Sequence, residues 1–270
     1  DSNAIIASGQ GFMMAELDEA HLVNNLIMCS TTYILNGGAT NTEYLGNTIG
    51  FSGYGIMSLT SGETGCTLKN NIFYTGHDNM LIGFATADTV SNYNLFFQGP
   101  GLTNYHLFQY LGTYYNSLAT YVTASGDDTN SLNVDPLFVN APAYYDMCDA
   151  ELLPQFTTSR VYVTHGTSTF AVNDHIEYNL DGVVRQVTAV GTNYIEFSPA
   201  LSQLPVTAGV VCNWKTKTDY TYNFALSASS PARGAGEGGV DMGSTVNLSS
   251  YRAGDLDGDG LRDVPAWPPQ

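Results

Sequence analysis

Positive charge is nearly absent from this chain: 8 of its 270 residues are Lys or Arg against 25 Asp and Glu, a formal net charge of −17. Such a surface repels phosphate backbones and anionic lipid heads, so nucleic acid is not expected as a partner. Charge of either sign is scarce, at 12% of residues, where an ordinary soluble domain carries about 25%. The few lysines argue against long exposed helices. No apolar run approaches the roughly 18 residues that span a bilayer, so no membrane insertion is expected. The first residues also lack the basic-then-apolar order of a secretory signal. The chain begins at Asp1, which reads as a processed or excised segment from which a signal could have been lost.

What is abundant points to a packed, turn-rich chain: 43% hydrophobic residues, 28 Gly and 18 Tyr. Its length suffices for one large domain or two small ones with a sizeable core. Four cysteines among many Ser, Thr, Asn and Tyr fit an extracellular or surface-exposed setting.

A repeat organises the first half. The segments Leu22–Met28, Leu45–Phe51, Leu68–Tyr74 and Val90–Phe96 align on Asn24, Asn47, Asn70 and Asn92, spaced 23, 23 and 22 residues apart. Alternate positions then form columns expected to face inward: Leu22, Leu45, Leu68, Val90; Leu26, Ile49, Ile72, Asn94; Met28, Phe51, Tyr74, Phe96. Alternation means strands. A second apolar patch follows about ten residues after each asparagine, at Tyr33–Leu35, Ile56–Leu59 and Met80–Ile82. Short strands recurring at this spacing describe coils stacked with like over like. A buried asparagine amide can bond a turn and the amide of the next coil, which satisfies groups that otherwise cost about 1–3 kcal/mol each. Asn3–Ala7 and Gly11–Met14 match the same columns one coil earlier. The chain therefore opens inside the stack, and its first coil is expected to be covered by upstream coils or by self-association.

The asparagine ladder and coil length resemble the right-handed parallel β-helix proteins, a superfamily that includes pectate lyases, other polysaccharide lyases and many phage and bacterial surface proteins. Residues 116–121, 126–132 and 135–140 look like the end of secreted β-helix repeat proteins. Residues 224–226, 230–236 and 240–243 resemble that family's closing segment. The resemblance covers residues 1–140 and 219–243. It implies an all-β fold, a right-handed parallel β-helix solenoid.

About 75 residues intervene where the family takes a short step. Within them Phe170–Tyr178, Val183–Val190 and Tyr194–Phe197 alternate like successive strands, with Asp181-Gly182 and Gly191-Thr192 at the turns. A small inserted antiparallel β-domain is expected. The organisation is then coils over 1–146, the insert over 147–217, a return to the helix and a cap over 218–250, and a calcium-binding loop with a Pro-rich tail over 251–270. Cys148 and Cys212 bracket the insert, either as a disulfide across its stem or as buried free thiols. Cys29 and Cys66 fall in different columns and are expected unpaired.

The strongest short motif is Asp255-Leu256-Asp257-Gly258-Asp259-Gly260-Leu261-Arg262-Asp263. Carboxylates of Asp255, Asp257, Asp259 and Asp263 with the Leu261 carbonyl make the oxygen cage that calcium requires. The loop is similar to those of integrin-type propeller repeats. It departs from the EF-hand because Ala266 stands at the twelfth position. A merely acidic solvated turn is the alternative.

Lyases of this fold use calcium with a basic residue, and the hydrolases use clustered aspartates. Lys69, His77, Asp78 and Asp88 are the candidates here, against a reading of His77 and Asp78 as ordinary loop residues. Asp127 and Asp128 read as turn formers. Phe73, Tyr93 and Phe97, with Tyr105, Tyr110, Tyr114 and Tyr115 nearby, are either a platform for sugar rings or packing beneath the 100–130 loop and its short helix. Asn247-Leu248-Ser249 fits a glycosylation acceptor. Two functions follow: a non-catalytic extracellular structural or adhesion module of a surface, filament or phage appendage protein, with a polysaccharide or cell-surface glycan as partner, or the C-terminal part of a polysaccharide lyase or glycoside hydrolase.

Overall fold

The computed structural model describes residues 4–8, 17–30, 35–36, 39–52, 56–59, 63–75, 81–99, 106–164, 166–205 and 209–246. They divide into two compact units. One holds the chain to Leu137 together with Leu226–Val246, and the other holds Phe138–Ala225.

The first unit is built on parallel sheets. One runs in the order Ala4–Ser8, Leu26–Ser30, Thr48–Ser52, Ile72–Thr75, Leu95–Gln98 and Leu132–Asn133. A second joins His21–Val23, Glu43–Leu45, Thr67–Lys69 and Val90–Asn92. Further parallel pairs link Leu35–Asn36 with Met57–Ser58, and Ile82–Phe84 with Phe108–Tyr110. In the two larger sheets a strand pairs with the one a repeat later, so each repeat adds a rung.

The register corrects the expected columns by about one residue. Asn24, Gly46, Asn70 and Tyr93 hold left-handed backbone, at φ 56°, 61°, 59° and 56°. Such a residue turns the chain between two strands and breaks the alternation that a straight strand would keep. The true columns are Leu22, Tyr44, Leu68, Ser91; Leu26, Thr48, Ile72, Leu95; and Ile27, Ile49, Phe73, Phe96. Leu45 is therefore half-buried and Val90 is 52% exposed. The core gathers Leu22, Tyr44 and Leu68 with Ile27, Ile49, Phe73 and Phe96.

An aromatic series continues that core. Phe73 stacks on Phe96 with centroids 5.4 Å apart, Phe96 meets Phe108 edge-on at 5.1 Å, and Phe108 stacks on Tyr121 at 5.0 Å. Tyr121 belongs to helix α1, Leu118–Ser125. Ser117 begins that helix by accepting from the Thr120 N–H, and Gly126, at φ 80°, ends it. Both are the residue types that satisfy free groups at helix ends.

The second unit is an antiparallel sheet in the order Tyr144–Met147, Val210–Lys215, His175–Tyr178, Val184–Val190, Tyr194–Ser198 and Arg160–Tyr162. Its two edge strands meet. Asp149 N donates to Tyr162 O at 2.8 Å and Thr164 N to Met147 O at 2.9 Å. The sheet thus curls around a core that includes Phe156, Val161, Ile176, Val187, Ile195, Phe197 and Val211.

The thiols answer the disulfide question. Cys148 and Cys212 are buried free cysteines, as is Cys66. Cys212 lies opposite Tyr145, whereas the Cys148 N–H bonds Gly209 O. Three residues of offset along a strand is about 10 Å, beyond the reach of a disulfide. Burial pushes the Cys148 thiol up, which keeps it protonated and unreactive.

Candidate functional site

A column of amides runs through the parallel unit, built on Asn25, Asn47, Asn71 and Asn94. Asn47 Oδ1 accepts from Asn25 N at 2.9 Å and from Asn25 Nδ2 at 3.0 Å. Asn71 Oδ1 accepts the same pair from Asn47, and Asn94 Oδ1 from Asn71. Each Nδ2 also reaches back to a backbone carbonyl: Asn47 to Leu22, Asn71 to Tyr44 and Asn94 to Leu68. Of the expected ladder only Asn47 belongs. Asn24, Asn70 and Asn92 stand outside the column, and their neighbours fill it.

The displaced asparagines have another task. Asn24 and Asn70, on the left-handed turns, bind the chain's closing segment. Asn70 Oδ1 accepts from Glu237 N at 2.8 Å, and Asn70 O from Gly243 N at 2.6 Å. Asn24 Oδ1 accepts from Thr245 N at 2.6 Å. Between them Ser244 N donates to Thr48 Oγ1 at 2.8 Å. Residues 237–245 therefore cross three repeats, meeting Asn70, Thr48 and Asn24 in turn and lying against Ile72. Gly243, at φ 84°, sits so close that a Cβ would lie 2.6 Å from Ile72 Cδ1.

That segment also reaches a predicted catalytic residue. Lys69 Nζ lies 2.9 and 3.0 Å from the two carboxylate oxygens of Glu237. An ammonium held in this way is an ion-pair partner, not a free base. Asp88 is exposed and accepts from Thr86 Oγ1. His77 and Asp78 lie outside the described residues, so of the four only Lys69 and Asp88 have described surroundings.

The aromatic platform is not where its spacing suggested. Phe73 is fully buried in the core, because the left-handed residue at 70 turns it inward. Tyr93 is itself the turn residue and is half-buried. Phe97 is half-buried and packs on Tyr74 with centroids 5.3 Å apart. Tyr105 is outside the described residues. Tyr110 and Tyr115 pack edge-on near Tyr121, and Tyr114 is half-exposed beside His106. Of these aromatics Tyr110 and Tyr115 pack against the short helix, through Tyr121.

The calcium loop, Asp255, Asp257, Asp259, Leu261 and Asp263, lies outside the described residues, as does Asn247. Among the described residues no group of three or more His, Cys, Asp and Glu is placed to hold a metal ion.

The amide column ends on groups that sequence reading passed over. Ser131 takes the next place, its Oγ accepting from Asn94 N at 2.8 Å. A serine is too short to accept from Asn94 Nδ2 as well, and Asp128 Oδ1 does so at 3.1 Å. Asp128 is buried, and that burial pushes its carboxyl up against the pull of hydrogen bonds from Ser131, Ser91, Asn94 and Tyr121. Asp127 beside it is raised to about 6, by desolvation first and then by Asp128. The one signal in the sequence was the match of Leu132-Asn133 to Leu95-Phe96, hidden by the helix between them.

The second unit buries charge singly. Glu177 is 2% exposed and accepts from Gly182 N at 2.8 Å and Tyr222 Oη at 2.7 Å. Burial raises its carboxyl while those donors lower it. Asp174 Oδ2 accepts from Ala171 N, Asn213 Nδ2 and Lys215 Nζ. Arg185 is 3% exposed and pairs with Asp181 at 2.6 Å.

No protein-family model, no curated protein and no solved structure matches the chain.

Proposed function

We propose that the chain is a non-catalytic extracellular structural or adhesion module. Its first unit is a rod of right-handed parallel β-helix coils, its insert a small β-domain that offers a binding surface, and its tail a calcium-bound cap. The observation that carries this reading is the amide column. Four successive repeats share one unbroken run of buried hydrogen bonds, ending at Asp128 and Ser131 beneath α1. Such a run favours a stiff element in which every repeat supports the next. A right-handed path follows from the strong preference of parallel β-connections for that hand. The ion pairing of Lys69 with Glu237 also supports it, since a lyase base needs a free amine.

The partner proposed is a neutral polysaccharide or cell-surface glycan, because a net charge of −17 repels acidic chains. Incubation with neutral and acidic polysaccharides, with calcium and with chelator, tests the reading by new reducing ends and absorbance near 235 nm. No cleavage is expected. Calcium-dependent cleavage would overturn the non-catalytic reading in favour of a lyase or hydrolase fragment. Calorimetry tests the calcium loop separately: uptake is expected, and Asp257→Ala should abolish it.

A further inference from the structure

The parallel pair of Ile82–Phe84 and Phe108–Tyr110 is extended by one more strand, Thr113–Tyr115, which runs antiparallel to Phe108–Tyr110. Two residues join this hairpin, Leu111 at φ 49° and Gly112 at φ 77°. A loop with both residues left-handed is a type I′ turn, for which Asn-Gly or Asp-Gly is the favoured pair. A leucine in that conformation is strained. It gains no burial in return, since Leu111 is 53% exposed. The hairpin would form more readily with asparagine at 111, so its folding does not account for the leucine. Strain kept without a folding benefit points to a surface with a task.

The outer edge of the hairpin is open. Tyr110 lies opposite Thr113, and Gln109 opposite Tyr114. In a two-residue hairpin the first pair exchanges hydrogen bonds and the second does not, so the Tyr114 N–H and C=O point away from the hairpin. Among the described residues no strand pairs on that side. Exposed edges are usually blunted by charged side chains or proline. This one has neither. Between Asp88 and Asp127 the sequence holds no Asp, Glu, Lys or Arg, in a chain of net charge −17. Within that stretch Leu111, Thr113, Tyr114, Ala119 and Thr123 are all exposed.

We propose that Thr113–Tyr115 is a self-association edge, on which the same strand of a second copy pairs antiparallel. The two Tyr114 residues stand opposite one another, each donating its N–H to the other's C=O, and Leu111 of each copy lies at the rim of the shared seam. A second copy fits this edge for two reasons. Antiparallel pairing centred on one residue is its own two-fold, so the edge is complementary to itself. Two copies of charge −17 also repel wherever their carboxylates approach, and a charge-free stretch is where they meet at least electrostatic cost. The pairing does not depend on whether the chain also binds a glycan.

Sedimentation of the full chain between about 5 and 200 µM tests this, because a short interface of this kind belongs to the weak class. The average mass is expected to rise with concentration toward twice that of the chain. Association should tighten between about 0.05 and 0.5 M salt, since screening removes repulsion between the copies. Leu111→Asn should weaken it at least about tenfold while raising the melting temperature of the dilute monomer, because asparagine accepts the left-handed turn. Tyr114→Glu, which sets two carboxylates face to face at the seam, should abolish association and leave the fold intact. A chain that stays monomeric at both salt concentrations overturns the proposal, and so does a chain whose variants associate as the wild type does. Association that loosens in salt would mean attraction between charges and would overturn it as well. If the chain stays monomeric and a neutral oligosaccharide binds in a Tyr114-dependent way, the edge is a glycan site instead.

Discussion

In the parallel unit one set of buried polar groups is neutral, repeated and joined from repeat to repeat, at Asn25, Asn47, Asn71 and Asn94. In the antiparallel insert several are charged, and each of Glu177, Asp174 and Arg185 is satisfied by its own set of neighbours. A repeat can solve the burial problem once and copy the answer, because each amide offers both a donor and an acceptor to identical surroundings. A curled sheet of unlike strands has no such copy, so every buried charge there needs an individually placed partner. The repeated solution makes each member depend on the next. The individual solution has local redundancy: Asn213 Nδ2 and Lys215 Nζ both have the Thr169 carbonyl as a second acceptor beside Asp174.

The difference can be broken at its strongest point. Asn71→Ala removes the acceptor for two Asn47 groups and the donor to Tyr44 O, and should cost roughly 3–5 kcal/mol, read as a fall in the urea midpoint of the parallel unit. Asp174→Ala in the insert strands only the Ala171 N–H outright, and about 2–3 kcal/mol is expected, read from the fluorescence of buried Trp214. If the two losses came out equal, the claimed dependence of one amide on the next would be wrong. Gly243→Ala sharpens the comparison from outside the column. A methyl there meets Ile72 and Thr48 at a positive φ, and roughly 1–3 kcal/mol should be lost, with faster hydrogen exchange over residues 237–245. The smallest effect belongs to Glu237→Gln. The Lys69 pair is surface-exposed, so about 0.5 kcal/mol is expected, vanishing in high salt when thermal melts are compared.

Much of the parallel unit was legible because identical neighbours must recur at a fixed spacing to pair in register. The repeats at 22, 45, 68 and 90 and the insert's strands around 175–178, 184–190 and 194–198 could be read on that ground. The site was far less legible. Phe73 looked outward because alternation was carried straight through the left-handed residue at 70. Asp127 and Asp128 looked like turn formers because the helix between repeats lengthens the spacing to 37 residues from Ser91 to Asp128.

By itself, then, the order of residues determined that the chain repeats with a period near 23, that polar amides accompany each repeat and that an alternating β-segment interrupts it. These are properties of local spacing, and spacing is what a sequence records. Only the tertiary structure decided which of two adjacent asparagines faces the core, that Cys148 and Cys212 stay apart, and that residues 237–245 return across three repeats to claim Asn24, Asn70 and Lys69. Those outcomes depend on one left-handed residue per turn, on a strand offset of three and on contacts between residues some 170 to 220 positions apart. No local pattern carries such terms.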